Sequence, residues 1–153
     1  IQHLVELKTN IDDQNPEIYQ HVIQILLEAG ALDAALIPIQ MKKNRPGIQV
    51  QVLCKPEDSG RLCQILFQET TTLGIRRNQI ERISLPRTII QVNTKYGPVS
   101  VKIARIGKGK VKASPEYEDC LKIAREHGLP LQQVIQQVLQ FYYGEKTTDH
   151  PEA

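Results

Sequence analysis

The sequence predicts an α+β protein: a ferredoxin-like split βαβ unit in the order βαββαβ, followed by a β-hairpin-rich segment and two C-terminal helices. Three observations predict it. Apolar residues alternate at 3–9 and 48–54, they recur with helical period at 18–29, and the first half reads strand, helix, strand, strand, helix, strand before the pattern turns to β.

The first strand is His3-Leu4-Val5-Glu6-Leu7-Lys8-Thr9, with Val5, Leu7 and Thr9 on one face and His3 able to join them. Residues 12–15 can cap the helix that follows, and Pro16 sits where a first turn tolerates it. Ile18, Val22, Ile25, Leu26 and Ala29 form the apolar stripe of that helix, which Gly30 closes. Residues 34–40 form a second strand, and Ile48, Val50, Val52 and Cys54 line one face of a third. Pro56-Glu57-Asp58 opens the second helix, which turns Leu62, Ile65 and Leu66 inward and stops near Thr70; residues 74–85 extend as a fourth strand.

Beyond Pro86, residues 88–94 and 99–106 alternate around the tight turn Lys95-Tyr96-Gly97-Pro98 and pair as a hairpin. Gly107-Lys108-Gly109 leads to a short strand at 110–112. Ser114 is placed to cap a third helix that starts at Pro115, ends near His127 and turns Leu121 and Ala124 inward. After the break at Gly128-Leu129-Pro130, the residues Leu131, Val134, Ile135, Val138, Leu139 and Tyr142 define a fourth helix. The domain reading is a ferredoxin-like unit at 1–85, a hairpin and two-helix extension at 86–144 packed with it as one domain, and a flexible tail at 145–153.

With 153 residues and 41% hydrophobic composition, the chain is long enough to bury a real core, and no apolar run approaches the length of a membrane span. Nineteen Lys and Arg against seventeen Asp and Glu leave a charge of +2, too balanced for a broad face that grips duplex nucleic acid. Cys54, Cys63 and Cys120 show neither CxxC nor zinc spacing, so they are expected reduced in a cytoplasmic core. The histidines are scattered, and the abrupt start in strand pattern without Met suggests a domain cut from a longer protein.

Charge is concentrated in short segments. Met41-Lys42-Lys43-Asn44-Arg45-Pro46-Gly47 puts three cations on a turn between strands, where Lys supplies point charges and Arg a planar fork matched to phosphate. Glu69-Thr70-Thr71-Thr72-Leu73-Gly74-Ile75-Arg76-Arg77 adds hydroxyls and two guanidinium groups. Arg76 and Arg77 point to opposite faces of a strand, and Arg76 is the one nearer the threonines. Asp12 and Asp13 stand where the first strand ends; they can cap the next helix, or they can hold a divalent ion together with phosphate oxygens and water. Taken singly, each segment also reads as a solvated loop or helix end, Tyr117 reads as core or interface, and Glu116 and Asp119 read as solvated. Taken together they point to an anion-binding domain for a nucleotide with a divalent metal. There is no Walker A loop, dinucleotide turn or nucleophile elbow.

Five blocks carry a resemblance: 9–17 around Asp12-Asp13, 38–47 through the cationic turn, 69–76 through the threonines, Tyr96-Gly97-Pro98-Val99-Ser100-Val101-Lys102, and Pro115-Glu116-Tyr117-Glu118-Asp119-Cys120. In their order, and spanning nearly the whole chain, they resemble the C-terminal region of the LarC family of nickel-pincer cofactor nickel insertases. The resemblance implies a cytoplasmic lyase-class cyclometallase that inserts nickel into pyridinium-3,5-bisthiocarboxylic acid mononucleotide, consumes CTP and serves maturation of lactate racemase. It also implies that this portion binds CTP with Mn²⁺ or Mg²⁺ and assembles as a homo-oligomer, trimer or hexamer, with no nucleic acid or membrane partner. The nickel ligands are then expected in an N-terminal region that is not in this chain. On that basis Asp12 and Asp13 are candidate metal ligands, and Lys42, Lys43, Arg45, Thr70, Thr71, Thr72 and Arg76 are CTP contacts, with Lys102 and Tyr117 as further candidates. The alternatives are a non-catalytic nucleotide-sensing or oligomerisation module, and an RNA-binding domain of similar topology, which the lack of aromatic residues at 48–54 disfavours.

Overall fold

The computed structural model describes residues 1–148. It falls into two compact units divided between Ser84 and Leu85. The first contains β1 (Gln2–Ile11), α1 (Ile18–Glu28), β2 (Asp33–Met41), β3 (Arg45–Cys54), α2 (Ser59–Glu69) and β4 (Arg76–Arg82). Its antiparallel sheet has the order β2-β3-β1-β4, the arrangement expected of a split βαβ unit.

Alternation along β1 and β3 determines which face receives the helices. Val5, Leu7, Thr9 and Ile11 stand beside Val50, Val52 and Cys54, and against them α1 lays Tyr19, Val22 and Leu26 while α2 lays Leu62 and Leu66. His3 remains exposed at the strand's start. On the opposite face the side chains are polar and interlocked. Lys8 pairs with Glu6 at 2.9 Å, Gln51 donates to Glu6 at 2.8 Å, and both Gln49 (2.8 Å) and Arg76 (2.9 Å) donate to the Asn10 side-chain oxygen.

Gly47 has a packing reason. A Cβ at that position would stand 2.8 Å from the backbone oxygen of Ile11 and 2.7 Å from the Met41 sulfur, so only glycine lets the β2–β3 hairpin close on the end of β1.

The second unit contains β5 (Arg87–Thr94), β6 (Gly97–Gly107), β7 (Lys110–Pro115), α3 (Tyr117–His127) and α4 (Leu131–Thr148). The meander β5-β6-β7 buries Val92, Val99, Val101 and Ile103 against Cys120, Ile123 and Ala124 of α3 and Val134, Val138 and Tyr142 of α4. Gly128, at φ 62°, supplies the left-handed residue that ends α3.

Several boundaries differ from the sequence expectation. The fourth strand is Arg76–Arg82 rather than 74–85, because the Gly74 carbonyl is held by the hydroxyls of Thr9 (2.9 Å) and Thr72 (3.0 Å). Pro56–Asp58 is a separate 3₁₀ turn before α2. Ser114 does not cap α3: it pairs with Lys102 in the β6–β7 ladder, β7 runs on to Pro115, and Glu116 stands at the cap. The helix is turned by one position, so that Cys120 and Ile123 are buried with Ala124 while Leu121 is half-buried. The fourth helix continues to Thr148 instead of fraying at Gly144, and the remainder of the expected tail lies outside the described residues. No helix among the described residues is long and apolar enough to cross a membrane.

Replacing Gly47 with Ala should cost about 1–3 kcal/mol through forced displacement of the hairpin, measurable as a lower urea midpoint at unchanged m-value. Burial pushes the thiols of Cys54, Cys63 and Cys120 above their ordinary range, with the Asp58 charge adding to the effect at Cys54. The folded chain therefore holds protons that the unfolded chain releases, so this stabilisation is complete below the ordinary thiol value of about 8.5 and is lost as pH rises beyond it. Urea midpoints should decline between neutral pH and about pH 10, and Cys54→Ala should flatten that decline.

Candidate functional site

Three connections of the first unit meet at one end of its sheet: the β1–α1 loop, the β2–β3 turn and the α2–β4 loop. The meeting is made by specific contacts. Arg45, the first residue of β3, reaches Asp12 with an Nη1 to Oδ2 distance of 3.4 Å. Thr71 donates its hydroxyl to Asp13 at 2.5 Å, and its backbone N–H donates to the Gln14 side-chain oxygen at 3.0 Å. The buried Thr9 hydroxyl contacts that of Thr72, tying the α2–β4 loop to β1 from beneath.

The two acids therefore diverge, Asp12 toward the cationic hairpin and Asp13 toward the threonines. Capping of α1 occupies neither acid: Glu17 stands at its N-cap without a side-chain capping bond, and just ahead of the helix the Asn15 side-chain oxygen accepts from the Glu17 N–H at 3.1 Å. Tyr19, at the start of the same helix, is buried, and its phenol is pushed above its ordinary value by desolvation first and by the Asp13 charge second. It is a neutral hydroxyl at physiological pH. A cleft of about 310 Å³ lies beside these groups, with Asp12, Gln14, Pro16, Tyr19, Pro46 and Gly47 among its lining residues.

Lys42 and Lys43 project from the 3₁₀ turn Lys42–Asn44, exposed and without an ion pair among the described residues. Lys43 and Asn44 both hold left-handed backbone, at φ 59° and 57°; Asn44 tolerates it and accepts a side-chain bond from Gln40 at 3.0 Å, whereas Lys43 is strained there.

The threonines divide their roles. Thr70 bonds back to the Leu66 carbonyl at 2.6 Å and finishes α2, Thr72 holds Gly74, and Thr71 alone reaches an acid. Arg76 lies on the open sheet face with Asn10, while Arg77 turns to the helical face and donates to Ser59 at 3.3 Å. Lys102 and Tyr117 belong to the second unit, where Lys102 pairs with Glu116 and Tyr117 is exposed; Asp119 accepts the Ser100 N–H at 2.9 Å.

Sequence reasoning missed Gln14, Asn10 and Gly47. Asn10 was legible in principle, because alternation puts it on the polar face two residues beyond Lys8. Gln14 carries a buried side-chain nitrogen with no partner among the described residues, and nothing in the sequence marks it.

No three His, Cys, Asp or Glu side chains among the described residues come together to hold a metal ion. Asp12 and Asp13 could thus contribute one or two hard oxygen ligands to an ion that is otherwise held by phosphate and water, which suits Mg²⁺ or Mn²⁺.

The family model described as nickel insertion protein matches residues 1–135. The chain belongs to the nickel insertion protein family. It is 48% identical over 132 residues to the pyridinium-3,5-bisthiocarboxylic acid mononucleotide nickel insertion protein of Acetivibrio thermocellus, covering 86% of this chain and 32% of that protein. The protein of the same name from Thermotoga petrophila is 42% identical over 132 residues, covering 86% of this chain and 33% of its own length. The chain spans about a third of the length of these curated nickel insertion relatives. Among solved structures it is similar to the apo form of LarC2, the C-terminal domain of a cyclometallase involved in synthesis of the NPN cofactor of lactate racemase. That match has 38% identity and a TM-score of 0.84, and covers 90% of this chain and 95% of the other.

The Asp12–Arg45 pair is partly solvated, with side-chain exposures of 20% and 58%. An ion pair in that setting contributes less than about 1 kcal/mol. Arg45→Ala should therefore leave the urea stability within about 1 kcal/mol of the parent, and a larger loss would mean that Arg45 serves the fold and not a ligand.

Proposed function

We propose that this chain is the portion of a nickel insertion protein that binds CTP together with Mn²⁺ or Mg²⁺. In the whole protein, that nucleotide is consumed while nickel is placed into pyridinium-3,5-bisthiocarboxylic acid mononucleotide to form the nickel-pincer cofactor. The observation that carries the reading is the junction of three loops at one sheet end, which gathers Asp12, Asp13, Arg45 and Thr71 from segments far apart in the chain, with Lys42 and Lys43 on the turn just before Arg45.

The chemistry follows from the charges. A triphosphate brings dense negative charge, and Lys42, Lys43 and Arg45 supply point charges and a forked donor to meet it. Asp12 and Asp13 share the divalent ion with phosphate oxygens, exchanging their bonds to Arg45 and Thr71 for it; this releases the guanidinium and the hydroxyl to the phosphates. Arg76 stands beside Asn10 on the open sheet face as a further cation. If the nucleotide is cut at its α-phosphate, the same cations stabilise the departing pyrophosphate. The choice of cytosine comes from the family likeness, whereas the geometry supports the triphosphate and the metal. The nickel ligands are assigned to a part of the whole protein outside this chain, and the whole protein to a cytoplasmic homo-oligomer.

One observation favours the alternative, a non-catalytic nucleotide-sensing or oligomerisation module. Asp12, Asp13 and all three threonines already have protein partners, so no carboxylate or hydroxyl there stands ready as an acid or base. Turnover in the full-length protein separates the two readings.

CTP at a hundredfold excess over Kd, with Mn²⁺, should stabilise the chain by about 2.7 kcal/mol, a rise in Tm of about 5–10 °C for this size. Lys43→Ala combined with Arg45→Ala should abolish the shift. Unchanged melting of the parent with saturating CTP and Mn²⁺ would overturn the proposal.

A further inference from the structure

A net charge of +2 conceals a strong internal division. Between Leu85 and Pro115 there is no Asp or Glu, and seven of the nineteen Lys and Arg fall there, leaving twelve to face all seventeen carboxylates in the rest of the chain. The cations gather toward the β6–β7 hairpin. Arg105, Lys108, Lys110 and Lys112 fall within eight consecutive positions, and their side chains have no ion pair or hydrogen bond among the described residues. Mutual repulsion of that kind weakens a hairpin, and a hairpin needs none of it to form.

The backbone is equally specialised. Gly107, Lys108 and Gly109 take φ of 116°, 47° and 77°, three successive positive values, immediately after an irregularity in the ladder between Arg105 and Gly107. Glycine adopts such angles freely, but Lys108 is strained there, in a place where Gly, Asn or Asp would form the turn more readily. The outcome is a concavity of about 420 Å³ lined by Arg105, Gly107, Lys108, Gly109, Lys110 and Val111, three of them cationic residues with no carboxylate among them.

We propose that this hairpin is a second anion site, which takes a small phosphorylated organic anion distinct from the nucleoside triphosphate. A longer nucleic acid fits poorly: residues 97–116 contain no aromatic side chain to stack a base, and the rest of the chain carries an acidic excess. The concavity instead suits a compact ligand with a phosphate and one or two carboxylate-type groups. Assigning it to the pyridinium mononucleotide that receives nickel rests on the function proposed above; the anion site itself does not.

The test is isothermal titration of the 153-residue chain with nicotinic acid mononucleotide, a pyridinium mononucleotide bearing a phosphate and a carboxylate. Saturable binding that weakens as salt rises is expected. Lys108→Gly with Lys110→Ala keeps the turn backbone and should weaken binding at least about tenfold, while Lys108→Arg with Lys110→Arg should keep it within about threefold. The thermal shift with CTP and Mn²⁺ should be the same in all three proteins. Absence of saturable binding, equal affinity in the neutral variant, or tighter hairpin-dependent binding of a single-stranded oligonucleotide would each overturn the proposal. Hairpin-dependent binding of the mononucleotide without any response to CTP and Mn²⁺ would sustain this site while removing the triphosphate reading. The converse result would do the opposite.

Discussion

The double pairing of β1 is the constraint on which the first unit depends. β1 is hydrogen-bonded to β3 on one side and β4 on the other, so its course determines where every loop at its end emerges. Two small features at that end do the joining. The Thr9 hydroxyl, buried and bonded to the Gly74 carbonyl, holds the α2–β4 loop against the strand. The missing side chain at Gly47 lets the hairpin come within contact of the Ile11 carbonyl. With both in place, the acids that leave β1 meet a guanidinium on one side and a hydroxyl on the other, without a deep cavity being needed to hold them.

Order and type of the secondary elements were legible because the period changes are strong and turn residues separate them. Val50, Val52 and Cys54 alternate cleanly, and Val22 and Leu26 keep helical spacing. Reading failed where two local signals competed. Ser114-Pro115 looks like a helix start, but the β6 ladder claims Ser114 first. Asp12, Asp13 and Asn15 all suit a cap by propensity, yet none supplies one: Glu17 stands at the N-cap of α1 without a side-chain bond, and Asn15 accepts only from the Glu17 N–H just ahead of the helix.

Within the candidate site, charge and position singled out the acids and Arg45, which the structure brings together, and strand alternation separated Arg76 from Arg77. Thr71 could not be told from Thr70 and Thr72, because the difference depends on where a helix ends to within one residue. The partnerless Gln14 nitrogen and the close approach at Gly47 are tertiary facts with no local signature. The absence of carboxylates between Leu85 and Pro115 can be counted in the sequence, whereas the curvature of the turn had to be seen.

The polar lattice on the open face of the first sheet has a consequence for how the chain avoids mispairing. Sliding β3 along β1 by two residues would keep every apolar side chain facing the helices, so hydrophobic alternation cannot reject that error. The amide of Gln49 opposite Asn10, and the reach of Gln51 to Glu6, would both be lost in the shifted alignment. Arg45 or Gln49 would then be driven against the Ile11 carbonyl in place of a glycine. A few side-chain hydrogen bonds and one absent methyl group thus act as the vernier of the sheet, selecting a single alignment from several that burial alone would leave equally good.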